Sequence, residues 1–590
     1  MSYIKSLIII FGICLLCQCN KVNHPQTNNR MNGTPFSMPA PAYLAMAERQ
    51  NELEKQNLLL LASGRLIYDG QWREGKRILN SIKTTDPVRK DEMLILYAKA
   101  ELTGKQPRRA INYLSKVKNR EELTPFYQEQ YHLLLAQAYE KQKLSIESVN
   151  ERVKLDKYLA SESEKISNRR QLWLTLTKMP AEELTSQVLE RGPGTPLGGW
   201  MQLASIARMP YEPKTMVDHL ERWRYQHPDH PANSILPSSI PSMLPWLNEM
   251  PQRVALLLPL SGPLASPGKA VLDGFMAAKQ EHRHTSMRIL TYDTNQGNAK
   301  ILYQQALADG AQYIVGPLSK NEVAEVAALE HPVPTLLLND ADHLTKPNAY
   351  QFGLSPANEA RQLALKAAND GYRHALVIAP EGKWGTEVTE AFMQQWQKGG
   401  GELVDSLVYS KSTDLNKTVR QFLHVNDSEK RAAALRKIIG NKLTSVTRRR
   451  QDFDMVFLLA YPSKARQIMP LLRYYYAGDV PVYSISTVYG GVKDTTRNQD
   501  LDGIIFCDMP WVFQTEDSTH KNWPESLNSY NRLYALGKDS YALATQLNQL
   551  LLFPAMGVNE SSGILYLNQA QQIARIVAWG QFKNGQVELI

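Results

Sequence analysis

At Arg253 the hydrophobic pattern of the chain changes period, and no other feature constrains the fold as much. From about Asn51 to Ala232 apolar residues recur at helical spacing, glycine is sparse and no β-branched run is long. From Val254 the text reads VALLLPL, a fully apolar strand, then helical SPGKAVLDGFMAAKQ, then the strand RILTYD from Arg288. A helix from Asn298 to Asp309 leads to YIVGPL at Tyr313, and another helix leads to TLLLND at Thr335. After a helix from Ala357 to Asn369 the alternation restarts with HALVIAP at His374. A helix from Thr386 to Lys398 follows, then a strand at Leu403, DMVFLLA at Asp454, a helix from Lys464 to Tyr475, and PVYSIS at Pro481. Strands alternating with helices make parallel sheets covered on both faces. Two such runs in one chain predict two lobes facing across a cleft.

The upstream half reads as helix pairs. LLLLASGRLIYDGQW from Leu58 precedes a helix through Ile78 and Leu79, and MLILYAKAELTGKQP from Met93 precedes one through Ile111 and Leu114. Gly70 and Gly104 are 34 positions apart, as are Leu60 and Leu94, and Gly64 and Ala98. That is the tetratricopeptide (TPR) period, in which a small residue lets two helices approach closely. HLLLAQAYEKQ from His132 is an offset third copy. The segments from Gln171 and Gly199 are looser. The proline-rich stretch after His227 reads as a connector, since proline stiffens the chain and removes backbone donors. His227 and His230 have no accompanying metal-ligand set and read as loop residues.

The amino terminus sets the compartment. Lys5 is the only charge before the apolar run Leu7–Leu16, which is too short for a bilayer and fits a signal-peptide core. Cys14, Cys17 and Cys19 cluster at its end, and Cys19 has an apolar residue, Leu16, three places earlier, as a lipidated cysteine requires. Gln18 stands where a small residue is usual. Asn20 follows in place of the aspartate that retains lipoproteins in the inner membrane, so an outer-membrane destination facing the periplasm is expected. Only Cys507 remains in the body, so burial rather than disulfide bonding must stabilise it. The boundaries expected are a lipoprotein signal peptide over 1–18, a flexible tether over 19–48, a TPR-like helical domain over 49–232, a linker over 233–250 and an α/β domain over 251–590.

The segments RVALLLPLSGPLASPGKAVLDGFMAA and QALADGAQYIVGPLSKNEV resemble the type I periplasmic binding proteins that capture branched-chain amino acids. The resemblance implies a two-lobed fold in which turns after strand ends offer backbone N–H groups to a ligand. RRRQDFDMVFLLAYPSKARQIMPLLRYYYAGDVPVYSIS from Arg448 and LDGIIFCDMPW from Leu501, with the repeats and the lipoprotein signal, are similar to the LpoA family of outer-membrane lipoproteins. That resemblance implies activation of a class A (bifunctional, 1A-type) penicillin-binding protein and stimulation of peptidoglycan cross-linking. Peptidoglycan itself is a further candidate contact. Nucleic acid is excluded by export, and the modest net charge of +9 points instead to anionic envelope surfaces or an acidic partner.

Candidate cleft or docking residues follow. Ser261 lies in the PLSGP turn. Ser319 and Lys320 follow IVGPL, where lysine and asparagine replace the small hydroxyl residues of amino-acid-binding relatives. Lys320 reads either as an anion ligand or as a solvated helix start. Trp384 sits at a strand-to-helix turn, as a cleft or interface aromatic or as lobe packing. Arg448, Arg449 and Arg450 end an insertion in the α/β domain and form a candidate docking patch. Tyr489 is grouped with them. There is no G-x-S-x-G elbow, no H-E-x-x-H and no P-loop lysine. Asp452 and Asp454 alternate faces and make no acid–base pair, so no enzyme, cofactor or metal is expected. Three readings remain: a protein–protein activator, a sensor of amino acids or muropeptides, and a cell-wall hydrolase or transferase.

Overall fold

The computed structural model describes residues 35–590 other than 180, 193, 209–211, 282–285, 342–345, 440–445, 492 and 515–529. Cys19, the signal peptide and most of the expected tether lie outside the described residues. The end of that tether does not behave as one. Phe36 is 1% exposed, and the helix α1 (Ala40–Ala47) packs Tyr43 onto α2 (Glu52–Tyr68). The Phe36 ring lies 5.3 Å from Tyr68 and 5.5 Å from Phe126, directly over Gly64, where a Cβ would stand 2.1 Å from it. One aromatic in a polar stretch has no periodicity to announce it, so the folded body starts earlier than its composition implies.

Helix pairs follow: α2 with α3 (Trp72–Ser81), α4 (Pro87–Thr103) with α5 (Pro107–Leu114), and α6 (Pro125–Lys141) with α7 (Ser145–Leu155). Their starts are written locally. Asn51 caps α2 by accepting the Glu54 N–H at 3.0 Å, and Pro87, Pro107 and Pro125 occupy first helical positions, where no N–H is needed. The turn of the first pair is left-handed at Gly70 (φ 84°), and that of the second at Lys105 (φ 59°) rather than at Gly104. Gly104 is small for another reason, since a Cβ there would press on Trp72 at 3.2 Å. The strict pairing then loosens. Helix α8 (Glu162–Lys178) packs on α7 and on α10 (Pro196–Arg208), which also receives α9 (Ala181–Arg191) and α11 (Pro213–Gln226).

The expected linker is folded too. It forms two short 3-10 turns, Pro231–Ile235 and Pro241–Trp246, and buries Ile235, Leu236, Ile240 and Leu247. His227 and His230 lie in the turn after α11, as loop residues, but are packed against aromatic neighbours. His230 sits between Trp200 and Trp223, with its Nε2 2.8 Å from the Pro196 carbonyl, and His227 Nε2 lies 2.8 Å from Gln202. The helical and α/β parts share one apolar core from Ile146 to Ile573. At the seam Trp173 meets Phe553 at 4.6 Å, and Arg170 donates to the Ala555 carbonyl at 2.7 Å while lying 5.1 Å over Tyr566.

The α/β part has two lobes of the same design. The first sheet has the order β2-β1-β3-β4-β5, all parallel: β1 Arg253–Leu258, β2 Arg288–Asp293, β3 Tyr313–Val315, β4 Thr335–Leu337, β5 Ala349–Gln351. The second repeats that order as β7-β6-β8-β9-β10: β6 His374–Pro380, β7 Glu402–Tyr409, β8 Met455–Leu458, β9 Val482–Ser484, β10 Ile505–Asp508. The sheets are not wholly parallel as expected. A three-stranded antiparallel sheet, β11 (Val558–Glu560), β12 (Gly563–Leu567) and β13 (Ile573–Ile576), follows both parallel runs in sequence. Antiparallel β14 (Ala578–Lys583) and β15 (Gln586–Leu589) then extend the second sheet. In the first lobe α12 (Ala265–Glu281) crosses α21 (Asn531–Leu552) through paired glycines: a Cβ on Gly274 would lie 2.0 Å from the Tyr534 carbonyl, and one on Gly537 2.0 Å from that of Val271.

The crossings between lobes are held by buried charge. Arg532, in the first turn of α21, donates to both oxygens of fully buried Asp508 at 2.9 and 2.5 Å and to the carbonyls of Ser486 and Tyr489. Glu359, on α15 (Pro356–Asn369), accepts the Ser486 N–H and hydroxyl and faces Arg575 of β13 at 3.4 Å. The repeats arch back to the second lobe. Lys105 comes within 4.0 Å of Glu588 on β15. That contact falls at the amino ends of the second sheet, since Glu588 pairs across Gln581 with Ile505, the first residue of β10.

Candidate docking surface

In a sheet of order 2-1-3-4-5 the chain leaves the first and third strands in opposite directions, and the crevice beyond their carboxyl ends is where such folds bind. In the first lobe those ends belong to β1 and β3, and Ser261 and Ser319 follow them. In the second they belong to β6 and β8, and Trp384 and Tyr461 follow those. Candidate residues from separate parts of the sequence therefore fall on the two switch points.

Ser261 is committed to its turn. The Asp293 carboxylate accepts the backbone N–H of Leu260 at 2.8 Å and of Asn295 at 3.1 Å, and Asn295 reaches Ser261 Oγ at 3.4 Å. Burial pushes the Asp293 carboxyl up, but hydrogen bonds from Ser261 and these N–H groups outweigh it and hold it below the usual carboxylate range. A carboxylate held ionised by the turn is a structural acceptor, not a base poised for Ser261. Ser319 occupies the N-cap of α14 (Lys320–Ala327) without a side-chain capping bond, and Lys320 is exposed at its first position. Trp384, on α16 (Lys383–Lys398), is half-buried and stacks on Tyr461 at 5.3 Å with rings 22° apart. Tyr461 is 56% exposed. Sequence reasoning missed it. Its signal was an aromatic directly after an apolar strand and directly before Pro462, the first residue of α19 (Pro462–Leu472).

The arginine triplet is elsewhere, at the amino ends of β8 and β9. Arg449 bonds the Tyr476 and Arg450 carbonyls and the Asp479 carboxylate, and lies 4.9 Å over Phe453. Arg450 clamps Asp452 and Asp405 at 2.8 Å each. Of the three, only Arg448 points outward, so the expected basic patch is largely an internal brace for the insertion that carries α17 (Leu415–Phe422) and α18 (Val425–Ile439). Tyr489 is no surface residue: it is 5% exposed, packed 5.6 Å from Phe506 and Phe582, and burial pushes its phenol up to about 12.

Asp454 accepts the N–H groups of Arg373 and His374 at 2.9 Å, and Asp452 pairs with Arg450, so neither faces a cleft as an acid or base. Cys507 is wholly buried, and burial pushes its thiol well above the usual range. Among the described residues no group of three or more His, Cys, Asp or Glu could hold a metal ion, and no helix is long and apolar enough to cross a membrane.

Comparison with known proteins agrees with this architecture. The family model described as "LppC putative lipoprotein" matches residues 37–585. A curated relative from Photobacterium profundum, "Penicillin-binding protein activator LpoA", is 29% identical over 588 residues, 96% of this chain and 94% of that protein. The protein of the same name from Vibrio antiquarius is 30% identical over 467 residues, 76% of this chain and 77% of that one. Full-length LpoA from Haemophilus influenzae superposes with a TM-score of 0.51 and 23% identity over 95% of this chain and 99% of that one, which makes the order of helical region and α/β region a shared fold. By a match that runs almost from end to end of its folded body, the chain belongs to the LppC lipoprotein family.

Proposed function

We propose that this chain is a lipid-anchored outer-membrane protein that faces the periplasm, binds a bifunctional penicillin-binding protein of the 1A type and stimulates its cross-linking of peptidoglycan, without catalysing a reaction itself. The observation that carries the reading is the match over most of its length to relatives named as penicillin-binding protein activators. The geometry supports it. The lobes are braced at their crossings by buried ion pairs, which suits a fixed platform. The Trp384–Tyr461 stack offers an aromatic anchor of the kind that dominates interface energies. Cys19 is the proposed lipid site, and the switch-point ends of the α/β domain are the proposed docking surface.

The test uses the chain from Asn20 onward, without its lipid. Alone it should neither cleave nor cross-link peptidoglycan, and added to a bifunctional synthase it should raise the cross-linked fraction. Turnover by the isolated chain would restore the hydrolase or transferase reading. A synthase whose output is unchanged would overturn the proposal. Labelled palmitate still incorporated by Cys19→Ala would move the lipid to another cysteine.

A further inference from the structure

The seam between the helical and α/β regions is dry and apolar along Trp173 and Phe553, but it opens into a polar cavity of about 940 Å³. Its helical wall comes from the ends of α8, α10 and α11, and its other wall from the middle of α21 and from β11. The volume lies at the upper end of the range for small-molecule sites, about 300–1,000 Å³, and exceeds what one amino acid fills.

The helical wall carries cations, and the opposite wall a buried carboxyl that ionises when a cation joins it. Lys178 ends α8 and Arg208 ends α10, and both line the helical side. Arg208 spends one N–H on the Met179 carbonyl, out of the five that a guanidinium carries. Facing them is Glu560, the last residue of β11. One of its oxygens accepts from Gln546 at 3.0 Å, and among the described residues it has no ion pair. Burial first, and then the neighbouring Asp539, push its carboxyl up to about 8, as expected of a carboxylate removed from water without a cation in contact. Gln549 and Asn559 add amide groups to the same wall, able to pair with peptide N–H and C=O. Exposed Glu212 and Glu249 at the lining disfavour a ligand of net negative charge.

We propose that this cavity is a binding site for a short, uncharged-overall peptide with free ends, its ammonium on Glu560 and its carboxylate on Lys178 and Arg208. Such a ligand touches both regions at once and fixes the seam from inside. The site is separate from the switch-point surface, and its occupation does not depend on a synthase.

The probe is tetra-alanine, titrated calorimetrically into the chain from Asn20 onward, beside N-acetyl-tetra-alanine amide. Tetra-alanine should bind and the capped peptide should bind at least about tenfold more weakly, a loss of roughly 1.4 kcal/mol. Glu560→Gln and, separately, Lys178→Met should each weaken tetra-alanine by about tenfold or more. Lys178 is exposed at a helix end, so its variant reports even if the buried position does not tolerate change. Bound peptide should also slow amide exchange in residues 544–549 and 558–560. No binding at millimolar peptide, equal binding of the capped form, or unchanged binding in both variants would overturn the proposal. So would loss of binding in Trp384→Ala with retention in Glu560→Gln, which would move the peptide to the switch-point crevice.

Discussion

Gly537→Ala tests the crossing of α12 and α21 with opposed expectations. On helix propensity alone the change should stabilise the protein by about 1 kcal/mol, because glycine is the poorer helix former. The structure requires the reverse. The new Cβ would stand 2.0 Å from the Val271 oxygen, 2.9 Å from its carbonyl carbon and 3.0 Å from the Phe275 nitrogen. A relaxed carbon–oxygen contact needs about 3.3 Å. Backbone cannot rotate away as a side chain does, so the helices must part by roughly 1.3 Å. A gap of 0.5–1 Å already forfeits about a quarter to a half of a dispersion contact, and the helices bury Val271, Phe275, Leu536 and Tyr541 along this line. Overpacking typically costs about 1–3 kcal/mol, and a backbone clash belongs at the top of that range. After the propensity gain the net loss is about 2 kcal/mol, or a midpoint lowered by about 4 °C at roughly 2 °C per kcal/mol for a large domain. Urea unfolding followed by tryptophan fluorescence and a thermal scan would measure it. Gly274→Ala meets the Tyr534 carbonyl in the same way, and one withdrawal relieves both clashes, so the double variant should lose less than the sum of the two. A Gly537→Ala protein as stable as the parent, or more stable, would refute the close crossing.

Arg532→Met leaves the Asp508 carboxylate buried without its cation, and should cost about 3–5 kcal/mol in urea unfolding; adding Asp508→Asn should recover part of it. Phe36→Ala should destabilise the helical region by about 3–5 kcal/mol and expose it to limited proteolysis, whereas a protein indifferent to the change would return this segment to the tether. Asp539, fully buried and receiving N–H bonds from Ser561 and Ser562, has its carboxyl pushed by burial up to about 6 from 3.8. Its neutral form is favoured in the folded state, so its contribution is fully present below about pH 4 and is lost as pH rises through about 6. The stability of the parent relative to Asp539→Asn should therefore fall across that window, and a difference flat in pH would contradict the assignment. Tyr461→Ala should weaken synthase binding by at least about tenfold with an unshifted unfolding midpoint; unaltered affinity would remove the aromatic pair from the docking surface.

Much of this was legible because it is periodic. The change at Arg253 marks the first strand of the first sheet, whereas the small residue at Gly64 makes room for the Phe36 ring rather than for a partner helix. The turns that hold Ser261, Ser319 and Trp384 could be located because a strand followed by a helix marks its own carboxyl end, whereas the strand order that makes them switch points could not. What was not legible depends on partners distant in sequence. Phe36 is buried by Tyr68 and Phe126, and Arg449 and Arg450 are neutralised by Asp479 and Asp405. A charge run looks the same whether solvent or a carboxylate 45 residues away receives it. Tyr489 looked available because nothing near it in sequence announces Phe582. The antiparallel strands after Ala578 are short and half-exposed, and only the edge of the existing sheet makes them strands.

The arching of the repeats over the amino ends of the second sheet gives the molecule a front and a back. Residue 36 is packed beside Tyr68 in the repeats, and the repeats approach the second lobe through Lys105 and Glu588 at the end where its strands begin. Trp384 and Tyr461 stand where β6 and β8 end, and β6 alone, seven residues long, spans ~23 Å. Residue 36 is thus separated from the aromatic pair by the depth of the lobe. A partner that approaches from the side of residue 36 meets helices, and one arriving from the opposite side meets the strand ends. The fold makes recognition one-sided before any contact residue has been chosen.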